Sequence, residues 1–203
     1  MYPLTPIVHP QIQSILDRPK KIQEWIRAFG SPLNIVFPEH AVENLNNYLN
    51  IFTSEMIKGR VYYAHKSNKS LAVLKELSQQ KCGVDVASEQ ELISALSAGF
   101  SGDRIEATGP KNQSFLRLAL LHNVIINLNS LSELHELLRI HQSLSIIKPV
   151  SVYIRLNNIS KEKSSIIQKD GKFGFLADEI SEGLQLIAEH PTAISFLGFS
   201  FHL

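Results

Sequence analysis

Short apolar runs alternate with helical patterns along most of this chain. The first four runs begin near positions 61, 83, 104 and 124, so they recur about every 20 residues. A strand, a helix and the two short loops that connect them need about that length of chain. The runs are often apolar on both faces, which is typical of parallel strands covered by helices. The pattern therefore predicts an α/β protein built from successive βα units.

Six strands are predicted from these runs. They lie at 61–63, 83–88, 104–109, 124–129, 151–157 and 193–202. The segments between them have helical spacing, and Ser88 and Ser130 stand where helix N-caps are expected. Glu133, three residues after Ser130, completes a capping-box pattern. The polar stretch 158–175 lengthens the regular step and is predicted to be an inserted loop.

Polar residues at the ends of the predicted strands distinguish between two parallel-sheet architectures. Groups able to bind a ligand follow the strands in turn: Lys66, Asp85 with Ser88, Thr108, Asn127 with Asn129, Arg155 with Asn157, and His202. A (β/α)₈ barrel distributes its site over many strand ends in this way. A doubly wound sheet instead concentrates its ligand behind a Gly-rich first turn, and no G-x-G-x-x-G occurs here. The prediction is an incomplete (β/α)₈ TIM-type barrel with about six parallel strands.

The first 60 residues fall outside this regular step. A helix is predicted over 12–29, a strand over 33–37 and a second helix over 39–52. The strand does not fit the βα succession, so we assign it to another sheet. The chain is therefore predicted to have two parts, an N-terminal extension at 1–37 and a partial barrel at 38–203.

Composition argues against several classes of protein. The net charge is +1 at pH 7, which gives no reason to expect nucleic acid or an anionic membrane as a partner. No apolar run is long enough to span a membrane, and the first residues lack the pattern of a signal peptide. Cys82 is the single cysteine and cannot form an internal disulfide, and the histidines show no metal-ligand spacing. These features are typical of a cytoplasmic protein without a metal site.

Lys66 is the candidate catalytic residue. It lies in the segment Tyr63–Asn68, with the sequence YAHKSN, between an apolar run and a helical pattern. A lysine at such a strand end points into the mouth of the sheet, where apolar walls are expected to desolvate its ammonium group in part. The neutral amine can attack an aldehyde, which is the chemistry of a Schiff-base lysine. The alternative is an ordinary surface lysine. His65 points the opposite way if the strand alternates, so we expect it to be structural, with proton donation as the alternative.

Several motifs together resemble one family, the fold-type-III pyridoxal-phosphate decarboxylases. This family includes the diaminopimelate, ornithine and arginine decarboxylases, which have an alanine-racemase-like barrel. Each motif alone is weak, but their order along the chain is specific. The motifs are GSPL at 30–33, YAHKSN at 63–68, GVDVAS at 83–88 followed by Glu91 and Leu92, TGPK at 108–111, KFG at 172–174 and GFSFH at 198–202. The resemblance covers about residues 30–203, the amino-terminal part of the family.

The resemblance implies pyridoxal 5′-phosphate as the cofactor and a basic or diamino amino acid as the substrate. Lys66 would hold the cofactor covalently, and His202 would stack on its ring. Asp85 would hydrogen-bond near the lysine, and Ala64 would contact the cofactor. Arg155 would line the floor of the site. The implied activity is amino-acid decarboxylation.

The resemblance also implies segments that this sequence does not contain. In the family, a Gly-rich phosphate-binding loop, an acidic partner of the ring nitrogen and a second β-rich domain follow the histidine of the sixth strand. The 203-residue chain is therefore expected to be inactive or barely active alone. The full-length form is expected to be a homodimer in which the extension 1–37 pairs with the β-rich domain. Two alternatives stay open: a non-enzymatic remnant or interaction module that pairs with a cognate decarboxylase, and a cofactor carrier or racemase of the same superfamily.

Overall fold

A computed structural model describes residues 8–157 and 173–202 of the chain. Contacts between residues divide the chain into two units, Met1–Val36 and Phe37–Leu203. Most of the predicted loop at 158–175 lies outside the described residues, and so does Lys172 of the KFG motif.

The first unit contains two short helices where a single helix was expected over 12–29. Helix α1 runs over Pro10–Leu16 and helix α2 over Pro19–Phe29. Proline has no amide hydrogen, and its ring disfavours helical backbone in the residue before it. Arg18 accordingly has φ −120° and ψ 63°, so the helical path is interrupted just before Pro19.

The predicted strand over 33–37 is wrong. These residues belong to no helix or strand, and the described sheet includes no segment that pairs with them. An apolar run becomes a strand only when a neighbour accepts and donates its backbone hydrogen bonds. The run at 33–37 has β-forming residues but lacks that partner among the described residues.

The second unit is built on six parallel strands in the order in which they occur along the chain. The strands are β1 Tyr62–Ala64, β2 Gly83–Val86, β3 Ile105–Ala107, β4 Ile125–Leu128, β5 Val150–Arg155 and β6 Ile194–Ser200. Each pairs only with its sequence neighbours, so in the described residues β1 and β6 are open edges and the sheet is not closed. The predicted incomplete barrel with six strands is confirmed.

Helices connect the strands as the periodicity predicts. They are α3 Pro38–Ser54, α4 Leu71–Ser78, α5 Glu89–Ser97, α6 Gln113–Leu121, α7 Leu131–Ser143 and α8 Ala177–Glu189, with 3₁₀ turns at His65–Ser67 and Gly102–Arg104. The predicted serine caps are present. The Ser88 hydroxyl accepts a hydrogen bond from the Glu91 amide, and the Ser130 hydroxyl accepts one from the Glu133 amide. None of the helices described is both long enough and apolar enough to cross a membrane.

Alternation along the strands gives the sheet two chemically different faces. Val84 of β2 and Ile105 of β3 are fully buried in the core that the helices cover. Asp85 and Glu106, the next residues along, pair in register and line a cavity on the other face. Successive side chains of a strand point to opposite faces, so the polar residues of several strands are gathered on the inner face of the sheet.

Candidate active site

A cavity of about 470 Å³ is lined by residues from all six strands or the turns that follow them. The lining residues are Tyr62, Lys66, Asp85, Ala87, Glu106, Thr108, Gly109, Asn127, Arg155, Phe173, Ser200, Phe201 and His202. Most of them lie at the carboxyl ends of the strands, where barrel enzymes have their active sites. The cavity is therefore the candidate active site.

The turn after β1 presents Lys66 to the cavity. The hydroxyl of Ser67 donates a hydrogen bond to the carbonyl oxygen of Ala64 at 2.7 Å, and the hydroxyl of Tyr63 donates to that of Asn68 at 3.0 Å. These two bonds fix both ends of the 3₁₀ turn. The side chain of Lys66 is exposed, so the expected desolvation by apolar walls is not found. The cavity is open to solvent, and the described sheet is not closed.

Asp85 of β2 is a carboxyl group of the cavity on which Lys66 acts electrostatically. It accepts a hydrogen bond from the Thr108 hydroxyl, with 2.5 Å between the two oxygen atoms. The pKa of Asp85 is raised above its ordinary value because burial is the largest effect. This hydrogen bond and the positive charges of Lys66 and His202 act in the opposite direction and lower it. Residues from the first, second and sixth strand ends therefore act on one another electrostatically.

Three polar side chains connect distant strands across the inner face. The Ser200 hydroxyl donates to Asn127 Oδ1 at 2.7 Å, and Asn127 Nδ2 donates to Glu106 Oε1 at 3.1 Å. This connection reaches from β6 to β4 over β5, because side chains on the inner face of a curved sheet converge. The pKa of Glu106 is raised above its ordinary value, chiefly by burial and also by the Asp85 carboxylate. The hydrogen bond from Asn127 opposes this increase.

Arg155, the last residue of β5, also lines the cavity. Its guanidinium group donates to Asn129 Oδ1 at 3.5 Å and lies 5.2 Å from the ring centre of Phe173. Burial lowers the pKa of Arg155 and the charge of Asp85 opposes that effect. The Asp85 carboxylate thus provides a counter-charge for the partly buried arginine.

A buried ion pair supports the rim between β3 and β4. Lys111 Nζ lies 3.2 Å from Glu133 Oε1 and donates to the carbonyl oxygens of Gly109 at 2.6 Å and Asn127 at 2.8 Å. Glu133 also accepts the amide hydrogens of Lys111 and Asn129. Burial lowers the pKa of Lys111, and Glu133 opposes this. The TGPK motif therefore contributes a structural lysine at the cavity rim.

Four of the five residues proposed from the sequence line the cavity, namely Lys66, Asp85, Arg155 and His202. Ala64 does not line it, although it pairs in register with Asp85. Its carbonyl oxygen accepts a hydrogen bond from the Ser67 hydroxyl. These placements leave the chemical roles of the five residues as proposals.

Sequence reasoning missed Glu106 as a cavity residue. It was read only as part of a strand, because a glutamate in mid-strand carries no motif. The strand alternation could have found it, since Glu106 follows the buried Ile105 and matches Asp85 in the adjacent run. His65 does not line the cavity and is buried instead, so the expected structural position is found.

Comparison with known proteins identifies the family. The family model described as pyridoxal-dependent decarboxylase, pyridoxal binding domain, matches residues 42–203. The chain belongs to this family. Its members use pyridoxal phosphate, so the cofactor inferred from the sequence is confirmed at the level of the family.

Individual relatives are similar to this chain over part of their own length. An uncharacterized protein of Sinorhizobium fredii, y4yA, is 32% identical over 89% of this chain and 37% of its own. The diaminopimelate decarboxylase of Methanothermobacter thermautotrophicus is 36% identical over 52% of this chain and 25% of its own. The crystal structure of diaminopimelate decarboxylase from Helicobacter pylori complexed with L-lysine is 25% identical, with a TM-score of 0.77 over 90% of this chain and 46% of that one. The chain thus spans less than half the length of these relatives.

The cavity is chemically suited to pyridoxal phosphate. Its volume of about 470 Å³ falls within the roughly 300–1,000 Å³ typical of small-molecule sites. Lys66 offers an amine for the aldehyde, Arg155 offers a cationic group, and His202 offers a flat ring. Such a lysine, with charged groups nearby, is what a pyridoxal phosphate enzyme requires of its protein.

Replacing Asn127 with leucine is expected to destabilise the chain by about 1–3 kcal/mol, because Glu106 and Ser200 then lose a buried hydrogen-bond partner. Urea denaturation of wild type and variant measures the difference. Asn47→Leu, at an exposed helical position, serves as the control and is expected to change stability little. Equal stability of both variants would show that the connection between β6 and β4 contributes nothing.

Proposed function

We propose that this chain carries the cofactor-binding part of a pyridoxal-phosphate-dependent decarboxylase for a basic or diamino amino acid. One observation carries the proposal: Lys66, Asp85, Arg155 and His202, which come from four different strand ends, line the same cavity. The shared electrostatic influence of Lys66 and His202 on Asp85 supports their convergence.

Pyridoxal phosphate, when bound, supplies an aldehyde for amine capture and a ring that accepts the electron pair released as carbon dioxide leaves. Lys66 would hold the cofactor through its ε-amine. When that amine is free, it would hold or move a proton at the reacting carbon of the substrate. The 3₁₀ turn positions this amine, since its hydrogen bonds to Ala64 and Asn68 limit where residue 66 lies.

The other cavity residues position and balance charge in this proposal. His202 would pack on the cofactor ring and hold its orientation. Asp85 interacts electrostatically with Lys66, His202 and Arg155, so it would balance positive charge in the cavity. The cation of Arg155 is held at the cavity by Asn129 and the Phe173 ring.

The substrate class rests on similarity to known decarboxylases. The relatives include diaminopimelate decarboxylases, and the Helicobacter pylori enzyme was crystallised with L-lysine. Both molecules are amino acids with a second amino group. A cytoplasmic location, and a homodimer in the full-length form with the extension 1–37 pairing with a β-rich domain, stay predictions.

The test is carbon dioxide release from carboxyl-labelled diaminopimelate, lysine, ornithine, arginine and leucine, with added pyridoxal phosphate. We expect no release or barely detectable release, and only from the diamino or basic substrates, because the exposed Lys66 amine lies in an open cavity where water competes. Lys66→Ala with the same cofactor gives the background rate. Racemisation without labelled carbon dioxide would instead favour a racemase or a cofactor carrier of this superfamily.

A second candidate function is an interaction module that pairs with a cognate decarboxylase. The observation that favours it is the exposure of Phe199 and Phe201, which are 46% and 69% accessible at the open edge strand β6. Exposed apolar residues beside an unpaired strand edge favour association. Size-exclusion chromatography tests this candidate, and a monomer that unfolds cooperatively would argue against a partner-dependent module.

A further inference from the structure

The imidazole of His65 is buried, and the residues that the structure describes give it no hydrogen-bond partner. Its accessibility is 2%, and neither Nδ1 nor Nε2 has a partner among the described residues. Buried polar side chains in proteins are almost always hydrogen-bonded, so each exception calls for an explanation. The proposed function makes no direct use of this ring, because His65 does not line the cavity.

His65 immediately precedes the proposed catalytic lysine in the chain. His65 and Lys66 are the first two residues of the three-residue 3₁₀ turn that follows β1. His65 is buried while Lys66 is exposed, so the two side chains leave the turn in different directions. Burial of the ring therefore fixes the turn on the protein side, and the amine extends on the cavity side.

Charged neighbours do not offer the ring a free partner. Glu91 of α5 and Lys69, before α4, are the charged residues described that act on it. The Glu91 carboxylate is already committed, because one oxygen pairs with Lys69 Nζ at 3.0 Å and the other accepts the Ala87 amide at 2.9 Å. On β2, which contacts the turn, the titratable residue is Asp85, and it lines the cavity.

We propose that His65 is a positioning residue whose neutral ring seats the turn that presents Lys66, and that proton uptake by His65 unseats this turn. This role deepens the proposed function, since it makes the position of the Lys66 amine depend on pH. An uncharged ring can stay in its buried site at the cost of its two missing hydrogen bonds. A charged ring cannot stay without solvent or a released carboxylate, so it must move toward water and take the adjoining turn with it.

Burial lowers the pKa of His65 below its ordinary value of 6.5, and the charge of Lys69 adds to this effect. The Glu91 charge and the backbone of His65 itself oppose the shift. The unfolded chain therefore takes up a proton at higher pH than the folded chain does. The stability linked to His65 is complete above pH 6.5 and is lost as pH falls toward the lower folded-state pKa. One linked proton changes the unfolding constant by at most about tenfold per pH unit in this window.

The experiment compares urea unfolding of wild type, His65→Leu and His135→Leu between pH 5 and 8. His135 is exposed on α7 and serves as the matched histidine control. We expect His65→Leu to be at least as stable as wild type at pH 8. On acidification, its unfolding constant should rise by up to about tenfold per pH unit less than the unfolding constant of wild type. His135→Leu should keep the wild-type slope. Equal slopes in all three proteins would overturn the proposal.

A second measurement does not depend on the variant folding. Imidazole NMR of the wild-type chain gives the pKa of His65 directly, and a value at or above 6.5 would contradict the proposal. Hydrogen exchange of the amides at 66–68, corrected for intrinsic rates, follows the turn itself. We expect greater opening at pH 5.5 than at pH 7.5 in wild type. Unchanged opening would refute the unseating of Lys66. These measurements need no cofactor. A failure of the proposed decarboxylation can therefore be distinguished from a failure of the role proposed for His65.

Discussion

Lys66→Ala is expected to abolish the visible absorbance of lysine-bound pyridoxal phosphate and its retention after borohydride reduction. The cofactor aldehyde needs a positioned amine, and Lys66 supplies that amine at the mouth of the cavity. The loss should be complete rather than partial, because alanine has no nucleophile. Absorbance spectra of desalted protein, recorded before and after reduction, measure it.

Lys69→Ala is the matched control for that experiment. Lys69 lies three residues further along and pairs with Glu91, and it does not line the cavity. Its loss should leave the cofactor absorbance essentially as in wild type. If Lys66→Ala binds cofactor as well as wild type, the amine at position 66 is not the attachment point.

Lys111→Met is expected to cost about 3–5 kcal/mol of stability, the usual cost of removing one partner from a buried ion pair. Methionine keeps the volume but leaves Glu133 without its cation, and the carbonyl oxygens of Gly109 and Asn127 lose their donor. The ammonium side chain is fully buried, so water cannot replace it. Urea denaturation at neutral pH measures the loss.

Arg139→Met serves as the control for the buried pair. Arg139 pairs with Glu136 on the same helix that carries Glu133, but this second pair is at the surface. We expect its loss to leave the denaturation midpoint close to that of wild type. Similar losses for both variants would mean that burial does not strengthen the Lys111 interaction.

The barrel strands were predictable because each carries local signals. Val84 and Ile105 mark buried strand positions, and Ser88 and Ser130 mark helix starts by the hydrogen bonds their side chains accept. These signals depend on neighbours in sequence, so one sequence suffices to find them. The run at 33–37 failed because strand formation needs a partner from elsewhere in the chain.

The candidate site was predictable where a residue belonged to a motif or stood near the end of a predicted strand. Lys66 and Asp85 ended strands in recognisable segments, and the cavity contains both. The path from Ser200 through Asn127 to Glu106 was not predictable, since it joins residues 73 positions apart across an intervening strand. The exposure of Lys66 likewise depends on how far the sheet closes, which no local pattern determines.

The most direct test of cofactor attachment is peptide mapping of the chain after incubation with pyridoxal phosphate and reduction with borohydride. Digestion and mass spectrometry locate the reduced pyridoxyl group on a particular lysine. We expect it on Lys66, at a stoichiometry well above that of any other lysine at low cofactor concentration. Modification chiefly at another lysine, or spread evenly over the surface lysines, would contradict the assignment of this cavity as the pyridoxal phosphate site.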